Sequence, residues 1–170
     1  MPRPSALIAL AFAIGSLSAP WELAGQEISL PLGTQAPSAA VQDLDGNSVD
    51  ILAYVEEGKP TLIEFWASWC GTCRRLQPQL DQIQTELGAA VNVVAVAVAV
   101  SQTRDQVKKH AEEKSISYPY VWDGAGEAVN AYEVSGTGIV LILDRSGKVA
   151  YTGSGASQDL VTEVRKILGS

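Results

Sequence analysis

The stretch that most limits the possible folds is residues 91–100, Val-Asn-Val-Val-Ala-Val-Ala-Val-Ala-Val. Its side chains are apolar at both parities, so neither face of a strand here would meet water. Strands covered on both faces belong to sheets with helices packed above and below, the setting of parallel pairing. The run is ten residues long, well short of the ~20 that a membrane-spanning helix needs. Residues 61–67, Thr-Leu-Ile-Glu-Phe-Trp-Ala, form a second such run, interrupted only by Glu64. Two buried strands of this kind, separated by helical patterns, predict an α/β domain with a central mixed β-sheet flanked by helices.

Other segments fill in the order. Residues 40–49 carry Asp45-Gly46 between short runs, which predicts an N-terminal hairpin. Residues 51–57 predict a short helix, stopped by Gly58 and Pro60. Leu76, Leu80, Ile83 and Leu87 recur at helical spacing through 71–87, with Gly88 as the stop and Pro78 as an expected kink. A charged amphipathic helix over 103–114, a strand over 118–122 and a helix over 125–132 form an inserted segment. His110 stands there among Lys108, Lys109, Glu112 and Glu113, and is expected on a solvated face. Residues 139–143 and 148–152 read as a second hairpin around Asp144-Arg145-Ser146-Gly147. A last helix is expected over 157–168, capped by Ser157.

The N-terminus reads differently. Arg3 is the only charge before Glu22, residues 6–14 are all apolar, and Gly15, Ser16, Ser18 and Ala19 follow. A basic start, a short apolar run and a small-residue exit predict a secretory signal over 1–18, with a retained membrane-associated anchor as the alternative. Pro20, Gly25, Pro31, Gly33 and Pro37 make 19–38 an expected linker, which leaves 39–170 as one domain. The formal charge is −7, from 12 basic and 19 acidic side chains without a basic cluster. That excludes nucleic acid, whose phosphates need Lys and Arg, and disfavours an anionic membrane surface.

Chemistry concentrates at Trp69-Cys70-Gly71-Thr72-Cys73. The chain has two Cys and one His, too few for a closed zinc site, which takes four protein ligands. Half of a zinc site shared between two chains is the competing reading, and no metal is expected. Arg74 stands where a haem-attachment sequence needs His. A disulfide across so short a loop removes little entropy from the unfolded chain. The pair is therefore read as a redox dithiol. Cys70 would start a helix directly after a buried strand, where free N–H groups and the macrodipole favour a thiolate. Arg74 and Arg75 add positive charge, and attacking thiols in such motifs have pKa values of ~3.5 to ~7.5.

Phe65-Trp66-Ala67-Ser68-Trp69-Cys70-Gly71-Thr72-Cys73, with Pro78 beyond it, resembles the thioredoxin superfamily. Gly33, Ala36-Pro37, Asp43-Leu44-Asp45-Gly46, the long segment 98–134 with Tyr118-Pro119, and Val134-x-Gly136-Thr137 before Ile142-x-Asp144-x-x-Gly147-Lys148 are similar to its TlpA/ResA-like branch. The resemblance implies a thioredoxin-like fold and an exported thiol–disulfide oxidoreductase, in the periplasm or on the outer face of the inner membrane. Its partners would be protein dithiols or disulfides and a membrane electron donor of the thiol-relay type. Reduction in cytochrome c assembly or metal-centre maturation is the implied task. No cofactor is expected beyond the Cys70–Cys73 pair.

By the same resemblance Cys70 is the exposed attacking thiolate and Cys73 the more buried resolving thiol. Trp69, Gly71, Thr72, Thr137 and Gly138 are the expected substrate contacts, and Trp66 is core. Glu64 is expected to be buried in a central strand, with a raised pKa. It would exchange a proton with Cys73, the alternative being a structural ion pair with Lys59 or Lys148. One departure stands out: the family reads Gly-Thr-Pro with a cis proline, and here Gly136-Thr137-Gly138 replaces it. A cis bond before Gly costs ~2.5–4 kcal/mol, so Thr137–Gly138 is expected to be trans and its loop more mobile. Two rival readings fare worse: a peroxiredoxin needs Thr at Ala67, and a copper-handling protein needs a ligating His. A non-catalytic scaffold module is the alternative outside enzymology.

Overall fold

The computed structural model describes residues 28–169. The expected signal and the first part of the linker lie outside them. Seven strands form one sheet in the order β2-β1-β5-β4-β3-β6-β7. They are β1 (Ala40–Asp43), β2 (Ser48–Asp50), β3 (Thr61–Trp66), β4 (Asn92–Val98), β5 (Tyr120–Asp123), β6 (Ile139–Leu143) and β7 (Val149–Ser154). Strands β3, β4 and β5 run parallel, joined through helices α1 (Gly71–Leu87) and α2 (Arg104–Lys114). The two hairpins close the sheet antiparallel, β1 on β5 and β6 on β3. Short α3 (Glu127–Ala131) and α4 (Leu160–Leu168) complete the thioredoxin-like α/β arrangement.

Burial follows the reading of the two apolar runs. All six residues of β3 are buried, and so are all of β4 except Asn92 at its start. Leu76, Leu80 and Ile83 of α1 and Leu160, Val164 and Ile167 of α4 are buried with them. Asp45 and Asn47 donate their backbone N–H groups to Asp43 Oδ1, at 2.9 Å each, and so shape the β1–β2 turn.

Three local expectations need correction. Residues 28–38 are not free linker: Leu30 and Ala36 are buried, Gly33 N–H donates to Val149 O (2.7 Å), and Ala36 N–H donates to Gly147 O (2.9 Å). Their apolar side chains gain a place on the core beside β7, which offers its free edge. The helix expected over 51–57 is a single 3₁₀ turn, Ile51–Tyr54, capped by Asp50. Helix α1 continues through Pro78, which is exposed. The cap of α4 is Asp159, whose carboxylate accepts Thr162 N–H at 3.1 Å, and not Ser157.

The capping difference is measurable. Asp159→Ala is expected to lower stability by about 1 kcal/mol, while Ser157→Ala leaves urea denaturation unchanged. Equal effects at both positions would contradict the cap assignment.

Candidate active site

Strand β3 ends at Trp66, and a three-residue turn leads to Cys70, the N-cap of α1. That turn is pinned from β4's side. Gln102 is buried, accepts Ser68 N–H at 2.9 Å, and donates to Val98 O at 2.7 Å. Trp69 donates its indole N–H to Val100 O at 2.7 Å. Cys70 Sγ accepts Cys73 N–H at 3.0 Å, so the sulfur itself satisfies an orphan donor of the helix start. Cys70 and Cys73 are joined as a disulfide. Arg74 and Arg75 lie over this turn, 3.6 and 3.9 Å from where a Cβ on Gly71 would stand.

The two cysteines face different surroundings. Cys73 opens on a cavity of about 340 Å³ that Glu64 and Trp66 also line. Cys70 lies under the Thr137–Gly138 loop. A Cβ on Gly138 would stand 3.9 Å from Cys70 Sγ and 2.6 Å from Thr72 Cγ2. Both cysteines are consequently buried, 4% and 5% exposed. The expected contrast of an exposed Cys70 and a buried Cys73 is therefore absent from the disulfide-bonded form; the loop covers the first sulfur.

Glu64 is 1% exposed, and its Oε1 has no hydrogen-bond partner. Burial alone pushes its carboxyl up to about 8. The alternative ion pairs do not form: Lys59 lies 3.8 Å from Glu56. Beside Glu64, Gln77 Nε2 donates to Tyr118 Oη (2.6 Å), and Tyr118 stacks on Tyr120 with centroids 5.6 Å apart. Burial pushes both phenols far above their ordinary value.

The expected substrate contacts divide into two groups. Trp69, 47% exposed, and Thr137 line an apolar groove of about 260 Å³ together with Val98, Val100 and Val134. Thr72 and Gly138 touch each other instead, beside Cys70, and Gly71 lies under the arginines. Trp66 is core, as expected.

His110 overturns its expectation. Its ring lies on Trp66, with centroids 5.1 Å apart, and it lines the Glu64–Cys73 cavity. The overlooked signal is spacing: His110 follows buried Val107 by three residues and precedes Ala111, on the inner stripe of α2.

The Thr137–Gly138 peptide is trans, and Gly138 has φ +73°. The loop is anchored and not loose. Gly138 N–H donates to Phe65 O (2.8 Å), and Gly138 O accepts from Gly155 N–H (3.2 Å) and Gln158 Nε2 (3.2 Å). Proline could supply neither that N–H nor that φ.

A family model described as Redoxin matches residues 31–168. The thiol-disulfide oxidoreductase ResA of Geobacillus thermodenitrificans is 27% identical over 144 residues, covering 84% of this chain and 81% of that protein. The thioredoxin-like protein YneN of Bacillus subtilis is 30% identical over 126 residues, 73% of this chain and 72% of its own. A putative thiol:disulfide interchange protein DsbE from Chlorobium tepidum superposes with a TM-score of 0.72 at 28% identity, over 83% of this chain and 100% of that one.

Two outcomes follow from this geometry. The unfolded chain releases the Glu64 proton near 4.5 and the folded chain near 8. Between those values the folded state holds the extra proton, so stability falls as pH rises through the window. Urea midpoints of the oxidised protein should fall accordingly from pH 5 to 8, and Glu64→Gln should flatten that slope. Gly138→Pro should destabilise by more than about 1 kcal/mol, because native φ and the N–H bond are both incompatible with the ring. A neutral or stabilising Gly138→Pro would show that the loop readily adopts another shape.

Proposed function

The chain belongs to the redoxin family and is a thiol–disulfide oxidoreductase, and we propose that it is an exported reductant of protein disulfides. The observation that carries this reading is the cysteine pair itself. Cys70 caps α1 beneath the Thr137–Gly138 loop, while Cys73 looks into the Glu64 cavity. The N-cap position favours Cys70 as the thiolate, since helix N–H groups and both arginines stabilise negative sulfur.

In the proposed cycle the Cys70 thiolate attacks a substrate disulfide. A Cys70–substrate disulfide forms, and one substrate sulfur leaves as a thiolate. Glu64, as carboxylate, takes the proton of the Cys73 thiol. The Cys73 thiolate then attacks Cys70 Sγ, the mixed disulfide breaks, and the second substrate sulfur leaves with its electron pair. Two electrons have passed to the substrate, and the Cys70–Cys73 disulfide remains. A membrane donor of the thiol-relay type would reduce it again, with no cofactor beyond the pair. Trp69, Thr137 and the apolar groove would seat the substrate chain, with Gly71, Thr72 and Gly138 framing the sulfur.

Export rests on the signal-like residues 1–18, and periplasmic reduction in cytochrome c assembly or metal-centre maturation rests on the resemblance to the TlpA/ResA-like branch. Among the described residues no helix is long and apolar enough to cross a membrane, so any anchoring would come from the N-terminal segment.

Trapping tests the assignment of roles. Cys73→Ser is expected to accumulate mixed disulfides through Cys70 in the cell envelope, and Cys70→Ser to accumulate few. Equal trapping by both variants would defeat it, and trapped partners confined to the cytoplasm would defeat export.

A further inference from the structure

The cavity beside Cys73 has a buried acid on its inner wall and an imidazole beside it. Glu64 points into it with Oε1 unpartnered. His110 lies on Trp66, which follows Glu64 by two residues and therefore shares its face of β3. Resting on the reading that Glu64 exchanges a proton with Cys73, we propose that His110 is a positioning residue acting through Glu64. It passes the carboxyl proton between this cavity and solvent.

The other groups around the cavity are poor carriers. From α1, Arg74, which has only donors, reaches Ser68 O at 3.5 Å, while exposed Asp81 accepts from Gln77 Nε2 at 2.8 Å. From α2, Lys114 is exposed, and Glu113 pairs with Lys109 at 3.7 Å. From β5 and the bend before it, Tyr120 and Tyr118 stay protonated at neutral pH. His110 is the one imidazole in the chain and is half-buried. An imidazole accepts a proton at one nitrogen while releasing another from the second. Burial holds its pKa below the ordinary value, with Lys114 pushing the same way and Glu113 opposing. It is therefore neutral, and able to accept, at pH 7.

The proton balance is simple. The Glu64 O–H proton moves to His110, through water for which the roughly 340 Å³ cavity has room. The imidazolium releases a proton to bulk solvent. The carboxylate left behind takes the Cys73 thiol proton as the new Cys70–Cys73 bond forms. No electron passes through either residue.

The test uses the mixed disulfide of Cys70 with 5-thio-2-nitrobenzoate, whose coloured thiolate is released when Cys73 attacks. His110→Gln and His110→Ala are expected to slow release by about 10- to 100-fold at neutral pH. Added imidazole should restore His110→Ala, whose truncation leaves room for it, while wild type stays insensitive to imidazole. In a Glu64→Gln background, His110→Ala should have no further effect. The single imidazole resonance in NMR should also show an inflection near pH 8 as Glu64 ionises, lost in Glu64→Gln. Unchanged release in Glu64→Gln would sink the reading of Glu64 as base. Slow release in Glu64→Gln with normal release in both His110 variants, or no response of His110→Ala to imidazole, would overturn the role of His110 alone. Should His110→Ala fail to fold, normal release by His110→Gln or a missing inflection near pH 8 in wild type overturns it equally.

Discussion

The register of β3 between β4 and β6 is the constraint on which the rest depends. Its six residues are buried, with Glu64 opposite Ala95 on one side and Val140 on the other. That register sends Glu64 and Trp66 toward the α1 face, and sends Phe65 to the opposite face, where it packs on Tyr132 at 5.7 Å. A slip of one residue would reverse both faces. Glu64 would then meet Tyr132, and Phe65 would sit below Cys73. The same strand end aims the chain at Cys70 and fixes where α1 begins. Sheet pairing, the buried acid and the cysteine pair are thus one geometric decision.

The loop over Cys70 shows how the fold is held with glycine at the position where the resemblance implies proline. With Gly138 in place of proline, the backbone gains an N–H and reaches a positive φ. It uses both, and the N–H ties directly to Phe65 O at the end of β3. Gln158, itself held by Gly155 O at 2.7 Å, adds a second tether from the segment before α4. Closeness to Thr72 leaves no room for a side chain at Gly138. The position therefore requires glycine in this conformation, and proline there means rebuilding the loop.

Much of this was legible in the sequence because the signals were local and periodic. The doubly apolar runs at β3 and β4, the helical spacing of α1 and the Cys-x-x-Cys at its start each follow from residues within one element. The burial of Glu64 was legible for the same reason: a lone acid inside an apolar strand has one place to go. What escaped depended on distant partners. Residues 28–38 look like linker until β7 offers an edge, and Asp159 outcompetes Ser157 only once the start of α4 is set by Leu160 packing inward. His110 was misplaced because its charged neighbours dominate the local composition, while its contact with Trp66 comes from a different element. Cys70 was expected in the open because the covering loop lies almost seventy residues further along the chain.

The buried acid and the cysteine pair constrain each other energetically as well. In the disulfide form neither sulfur carries charge, and the only strong influence on Glu64 is the lost hydration of its carboxylate, which keeps it protonated at neutral pH. Reduction places a titrating thiol beside it. A Cys73 thiolate and a Glu64 carboxylate repel in the same poorly hydrated space, so one proton is shared between them, and their titrations belong to the pair. With that one proton on Glu64 the thiolate form of Cys73 is favoured, and with it on Cys73 the Glu64 carboxylate is the free base. The unpartnered Oε1 is consistent with that economy. A lysine bridged to Glu64 would stabilise the carboxylate permanently, lower its pKa, and leave it a weaker base than the thiol it faces. An acid left without a partner in the fold keeps a proton affinity close to that of a thiol, which is the condition for moving a proton between them with little free-energy change.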